Sequence, residues 1–331
     1  MSVPPNSSAL SDNAVSDILA AEMAQVDEVI HRRLASDVAL INQISHYIVS
    51  AGGKRVRPML VLLFANALGH HGPERHELAA TVEFIHTATL LHDDVVDESR
   101  LRRGRETANA LFGNAAAVLV GDFLYSRAFQ MMVGTGRMRV LEVLADATNI
   151  IAEGEVLQLM NMHDPDLSVE NYLKVIRFKT AKLFEASARL GAVLGGAPIE
   201  LEEDCAAYGR ALGTAFQLVD DLLDYEGSSA EMGKNAGDDL REGKPTLPLL
   251  IAMTRCDEAQ REFIREAIRN GEEDRLSEVL GIVRATGALD ATREAAMDEA
   301  RRAQALLERL PESIYREALI ELCSRSVHRS H

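Results

Sequence analysis

A chain of 331 residues, 47% of them hydrophobic, can bury a sizeable core in one large domain or two ordinary ones. Acidic residues outnumber basic ones 51 to 35, and the net charge of −16 argues against general attraction to nucleic acid or anionic lipid, so a phosphate-bearing partner has to be met locally. The three cysteines, Cys205, Cys256 and Cys323, are far apart and form no CxxC pair, which suggests neither a disulfide framework nor a zinc site and fits a reducing cytoplasm.

The opening MSVPPNSSALSDN, residues 1–13, lacks the basic-then-apolar order of a signal peptide and reads as a short disordered lead, with 14–331 as a single all-α domain. GGKRVRP, residues 52–58, packs Lys54, Arg55 and Arg57 between a double glycine and a proline, a basic knot that reads as anion binding in an acidic protein. Gly72-Pro73 then opens a long helix, ERHELAATVEFIHTATLLHDDVVDE. On it Asp93 and Asp97 are four residues apart on one face with Asp94 beside them, and His86 lies two turns earlier on nearly the same face. His86 either shares a cavity with them or is a core histidine bonded to a carbonyl. Arg102 and Arg103 follow closely, with guanidinium forks suited to phosphate oxygens and more charge than local pairs can absorb; bridging to Asp97 and Glu98 is the plainer alternative. The longest uncharged run, Thr107 to Gly121, is shorter than the roughly eighteen residues of a membrane span.

Pro165 and Ser168 punctuate the next helix, where Leu173, Ile176, Leu183, Leu190 and Leu194 can share a broad apolar face. Lys179 and Thr180 sit among these apolar residues, so the lysine either snorkels outward or meets a buried anion. FQLVDDLLDY repeats the acidic spacing with Asp220, Asp221 and Asp224. The stretch from 226 to 248, EGSSAEMGKNAGDDLREGKPTLP, breaks the helical texture, and its Lys234, Arg241 and Lys244 among aspartates mark a functional loop rather than a linker. Pro311 precedes a last helix. About a dozen helices, essentially no sheet and no repeat of 20 to 50 residues point to one compact bundle.

One DDxxD could be a solvated acidic face. Two copies, each in strongly apolar sequence, point to one deep cavity between helices. Carboxylates so crowded call for a cation of high charge density, and magnesium, which leaves positions for substrate phosphate oxygens, is the natural candidate. Two acidic platforms plus separate basic anchors suit substrates carrying two polyphosphate groups.

With GGKRVRP, EFIHTATLLHDDVVDESRLRRG, GDFLYSRAFQMM, AEGEVLQL, FKTAKLFE, GTAFQLVDDLLDY and GKNAGDDLREGKPTLPLL in this order, the chain from about Asp37 onward resembles the trans-isoprenyl (polyprenyl) diphosphate synthases, nearest to their bacterial octaprenyl branch. The resemblance implies the all-α isoprenoid synthase bundle around a deep central cavity, homodimeric and cytoplasmic, adding isopentenyl diphosphate to an allylic primer such as farnesyl diphosphate for a quinone side chain. It implies that Asp93, Asp97 and Asp220 lead the binding of three Mg²⁺ ions, with Asp94, Asp221 and Asp224 supporting them. Arg102, Lys179, Gln217, Lys234 and, as a helper, Lys244 hold the allylic diphosphate, with Thr180 in contact with that substrate; Lys54, Arg57, His86 and Arg103 hold isopentenyl diphosphate. Arg102, Lys179 and Thr180 thus stand nearest the chemistry. Ala88 and Thr89, small residues one turn before Asp93, permit a long product, and Phe129, Met131 and Met132 are candidates for the floor. A class I terpene cyclase usually carries an Asn/Ser/Glu-type second motif, and a noncatalytic partner subunit loses motif acids. Neither departure occurs here.

Overall fold

The computed structural model describes residues 14–50, 52–226, 237–271 and 275–329. The lead at 1–13 and the segment 227–236, with Lys234, lie outside the described residues. Ten helices come first: α1 (Ala14–Leu34), α2 (Ala39–Ser50), α3 (Val56–Ala67), α4 (Glu74–Val96), α5 (Ala108–Phe112), α6 (Asn114–Gly134), α7 (Met138–Asn161), α8 (Val169–Ile176), α9 (Lys182–Leu194) and α10 (Ile199–Glu226). A π-helical turn, Arg177–Ala181, joins α8 to α9. Six more follow: α11 (Asp238–Arg241), α12 (Leu247–Arg255), α13 (Glu258–Asn270), α14 (Leu276–Ala285), α15 (Ala288–Ala305) and α16 (Ile314–Val327). The fold is all-α. The expected dozen helices become sixteen among the described residues, because segments as short as α5 and α11 hold too few residues to show a period.

Helix starts follow the punctuation in the sequence. Pro73 stands at the N-cap of α4 with φ −65°, and the side chains of Ser168 and Ser313 accept hydrogen bonds from the amides of Asn171 and Arg316 at 3.2 Å each. The only strands among the described residues are an antiparallel pair, β1 (Leu101–Arg102) and β2 (Arg105–Glu106). Its turn residues, Arg103 (φ 53°) and Gly104 (φ 72°), both take the left-handed conformation that a tight two-residue hairpin requires.

Two apolar cores organise the helices. The larger gathers α1 to α7, α9, the first half of α10, the end of α15 and α16 around Phe64, Phe184 and Tyr208, while the smaller gathers α8, the second half of α10, α11 to α14 and the start of α15. Each of those three rings is essentially fully buried, contributing about 2–3 kcal/mol apiece, and the Tyr208 hydroxyl is satisfied by the Leu319 carbonyl at 2.7 Å. Helix α10 passes from one core into the other, so its acidic motif emerges where they meet. It packs backbone to backbone on α9: a Cβ on Gly209 would stand 2.4 Å from the Phe184 carbonyl oxygen. Gly209→Ala should therefore force the helices apart and cost about 1–3 kcal/mol. The check is thermal unfolding, where a Tm equal to that of the unsubstituted protein would contradict this packing.

Candidate active site

The end of α4 divides the first acidic motif. Asp94 points inward, 1% exposed, and accepts from Arg102 through Nε (2.9 Å) and Nη2 (2.7 Å). Arg102 is thus held by a buried local partner, where the sequence favoured a phosphate and offered pairing with Asp97 or Glu98 only as the alternative. Asp97 caps the helix, its amide donating to the Asp93 carbonyl at 2.8 Å, so the i, i+4 spacing survives and both carboxylates line a cavity of about 630 Å³. From α10, Asp220, Asp221 and Asp224 line the same cavity. The two motifs face one space, as their spacing and apolar settings predicted.

Three cations hold these acids. Lys179 Nζ lies 2.6 Å from Glu155 and 3.6 Å from Asp93; Lys244 Nζ lies 3.0 Å from Asp97; Arg329 Nη2 lies 2.8 Å from Asp220. The π turn places Lys179 and Thr180 side by side on the cavity wall, and Gly154 of α7 makes room for it, since a Cβ there would meet the Lys179 amide nitrogen at 2.6 Å. Thr180 Oγ1 donates to Gln217 (2.9 Å), Gln217 Nε2 donates to Asp221 (2.7 Å), and the buried Tyr172 hydroxyl donates to the other oxygen of Asp221 (2.5 Å). Burial, with Asp239 nearby, nevertheless pushes the Asp221 carboxyl up to about 8. Lys244 is partly buried, but Asp97 and Glu242 outweigh the desolvation penalty and raise its pKa.

A second group of cations lines the same cavity. Arg57 is partly buried, stacks 4.5 Å above the Phe184 ring and donates to His86 Nε2 at 3.1 Å. Burial lowers the Arg57 pKa to about 10, and burial together with Arg57, Arg102 and Arg103 drives His86 well below its ordinary value, so it is a neutral acceptor. Arg57 Nε has no hydrogen-bond partner among the described residues. Arg55 pairs with Glu83 at 2.8 Å, and Gly53 brings the knot against Arg103, whose guanidinium a Cβ would meet at 2.9 Å. Lys54 sits over the Phe216 ring, its pKa lowered by burial and by Arg329. Concentrated positive charge beside an unfilled donor is what an anion needs.

Lys54, Arg57, His86, Arg103, Arg102, Lys179, Thr180, Gln217 and Lys244 all line the cavity. Of the length candidates, only Thr89 does. Ala88 and Met132 are fully buried in the larger core, Met131 beside them, and Phe129 is 38% exposed next to Tyr125. Lys234 falls outside the described residues. Sequence reasoning missed Glu155, Tyr172, Asp239 and Arg329. Glu155 carried a faint signal as an acid among apolar helical residues, whereas Arg329 arrives through tertiary folding alone.

Among the described residues no three His, Cys, Asp or Glu side chains form a ready-made metal cluster. The donors converging from α4 and α10 are nevertheless all carboxylate oxygens, the set that suits a hard divalent cation completing its shell with water and phosphate oxygens.

Residues 38–283 match the family model described as Polyprenyl synthetase. The chain belongs to that family. Its members condense isopentenyl diphosphate head-to-tail into all-trans polyprenyl diphosphates and depend on metal. This synthetase is 56% identical to the octaprenyl diphosphate synthase of Escherichia coli over 95% of its own length and 98% of that protein. It is 47% identical to the geranyl-diphosphate-specific all-trans-nonaprenyl-diphosphate synthase of Rhodobacter capsulatus, covering 94% and 96% of the two chains. Among solved structures, the polyprenyl synthase of Caulobacter crescentus in complex with calcium and isoprenyl diphosphate superposes with a TM-score of 0.94 at 47% identity, covering 99% and 100%. No helix of the described residues is long and apolar enough to cross a membrane.

Glu155 offers a test of the cavity's electrostatics. Burial, only partly offset by Lys179, raises its carboxyl to about 7, so between its ordinary value and 7 the folded state holds more protons than the unfolded one and loses stability as pH rises. Glu155→Gln removes that dependence while Lys179 keeps Asp93. The metal-free variant should gain about 1–3 kcal/mol on the wild type between pH 5 and pH 8. A constant Tm difference across that range would refute this account.

Proposed function

We propose that this polyprenyl synthetase uses three Mg²⁺ ions to extend an allylic diphosphate, farnesyl diphosphate by preference, to all-trans octaprenyl diphosphate for a quinone side chain. The convergence of both acidic motifs and two separate cation groups on one cavity carries the reading. Asp93, Asp97 and Asp220, with Asp221 and Asp224 behind them, would hold the metal, which when bound supplies positive charge against the departing diphosphate. Asp94 is committed to Arg102 and serves the site through it.

On arrival of the allylic diphosphate, Lys179 and Lys244 can exchange carboxylate partners for phosphate oxygens, while Arg102 keeps Asp94 and offers its remaining N–H groups. Lys54, Arg57 and Arg103 hold isopentenyl diphosphate across the cavity, with neutral His86 keeping Arg57 aimed. The allylic C1–O bond breaks with its electron pair leaving on the diphosphate. The terminal double bond of isopentenyl diphosphate then forms the new bond to C1, and a proton from its C2 passes to the released pyrophosphate. Leu90, Val175, Ile176, Phe184, Phe216 and Leu223 wall the cavity and keep water from the cation.

The growing tail has to leave past Thr89 and Leu90. From Asp93 to the start of α4 is about 28 Å at 1.5 Å per residue, against roughly 35–40 Å for an extended octaprenyl chain, so the tail must part α4 from α6 and bend or emerge. Apolar side chains exposed on α6 and α7, Leu119, Val133, Val156, Leu159 and Met160, support a homodimer built on these helices. We also read residues 14–331 as one domain, since α10 runs through both cores, and as cytoplasmic, since the three scattered cysteines fit a reducing compartment. A nonaprenyl product is the second reading, favoured by the Rhodobacter capsulatus relative.

Incubation with labelled isopentenyl diphosphate and farnesyl diphosphate, followed by product sizing, tests the proposal: a C40 product formed only with Mg²⁺ is expected. Asp93→Asn or Asp220→Asn should lower kcat roughly 10²–10³-fold or more. Ala88→Phe should shorten the product by blocking the tail one turn below Asp93. For Met132→Ala a longer product is expected, and unchanged chain length by mass spectrometry removes Met132 from the floor.

A further inference from the structure

His163, two residues beyond the end of α7, has φ 62°, a left-handed conformation that few non-glycine residues adopt and that histidine, like asparagine, tolerates better than most. Its amide donates to the Gly243 carbonyl at 2.7 Å, and its Nδ1 lies 3.1 Å from the Ile268 carbonyl near the end of α13; since that partner only accepts, Nδ1 carries the proton. The imidazole lies against Gly243, covering it: a Cβ there would fall 2.2 Å from Nδ1, and the residue's φ of 68° asks for glycine as well. Gly271, at φ 62°, closes the group, with space for a Cβ blocked 2.6 Å away by the Arg241 carbonyl and with the same imidazole 3.6 Å off. Three left-handed residues from distant segments therefore meet around one ring.

The loop they secure touches both acidic motifs. Lys244, next to Gly243, reaches Asp97, its amide bonds the Asp239 carbonyl at 2.8 Å, and the Asp239 amide donates to Asp224 at 3.1 Å. We propose that His163 is a positioning residue for prenyl transfer, latching residues 237–246 at the height that sets Lys244 between Asp97 and the allylic diphosphate. This rests on the placement of Lys244 given above. His163 touches no substrate. The isopentenyl diphosphate group on α3, α4 and the hairpin lies outside the latch, so a loosened loop should injure one substrate and spare the other.

His163→Gly keeps the backbone conformation accessible and removes the ring, whereas His163→Asn keeps both the left-handed preference and an N–H donor. In the full-length enzyme, amide hydrogen exchange of 237–246 should quicken about tenfold in His163→Gly and stay near wild type in His163→Asn. KM for farnesyl diphosphate should rise about fivefold or more in His163→Gly, with KM for isopentenyl diphosphate within about twofold and recovery in His163→Asn. Gly243→Ala, which drives a methyl into the ring, should reproduce the defect, and the pair of changes together should be less harmful than their separate effects predict. Unchanged exchange at 237–246, both KM values moving together, or His163→Asn failing like His163→Gly would overturn the latch. If His163→Gly does not fold, Gly243→Ala is judged by the same two measurements. Exchange needs no turnover, so a Lys244→Ala enzyme with unaltered allylic KM sinks the placement of Lys244 while the exchange result still decides the latch.

Discussion

Asp93, Asp97 and Asp220 face one cavity from the ends of two helices, and without positive charge between them their repulsion would drive α4 and α10 apart. Lys179, Lys244 and Arg329 supply that charge from three separate elements. The same cations are chemically suited to phosphate oxygens, so the contacts that hold the site together are those a substrate can compete for. Binding and structural integrity draw on one set of charges.

Two sets of charges lining the cavity are poised in opposite senses. Burial and neighbouring guanidinium groups depress Lys54, Arg57, Arg103 and His86, while burial and neighbouring carboxylates raise Asp221 and Glu155. Each set is uncomfortable with its own charge, and each is relieved by a ligand of opposite sign. A polyphosphate accompanied by divalent cations relieves both at once, which ties recognition to charge balance more than to shape.

The all-α class, the helix starts at Pro73 and Ser168 and the convergence of the two motifs were legible because each rests on local spacing and short-range caps. The cation anchors were legible as residues but not as partners: nothing in the order of the chain tells Arg102 to choose buried Asp94, or brings Arg329 across to Asp220. Glu155 and Tyr172 were missed since their roles depend on what packs opposite them. The depth open to the product was not legible, because it depends on where α4 ends: the acidic motif closes that helix, and only the part before Asp93 runs alongside a growing tail.

The π turn at Arg177–Ala181 accommodates an extra residue within an otherwise continuous helical run, and it is there that Lys179 and Thr180 come together on the cavity wall. Side-chain direction downstream depends on that extra residue being kept. A single-codon deletion in this turn would close it into regular α-helix and turn Lys179 and Thr180 away from the positions the bulge gives them, however conservative the surrounding chemistry. Libraries made only of point replacements would leave that vulnerability unseen, and homologues that vary in length nearby should place their gaps on either side of these five positions.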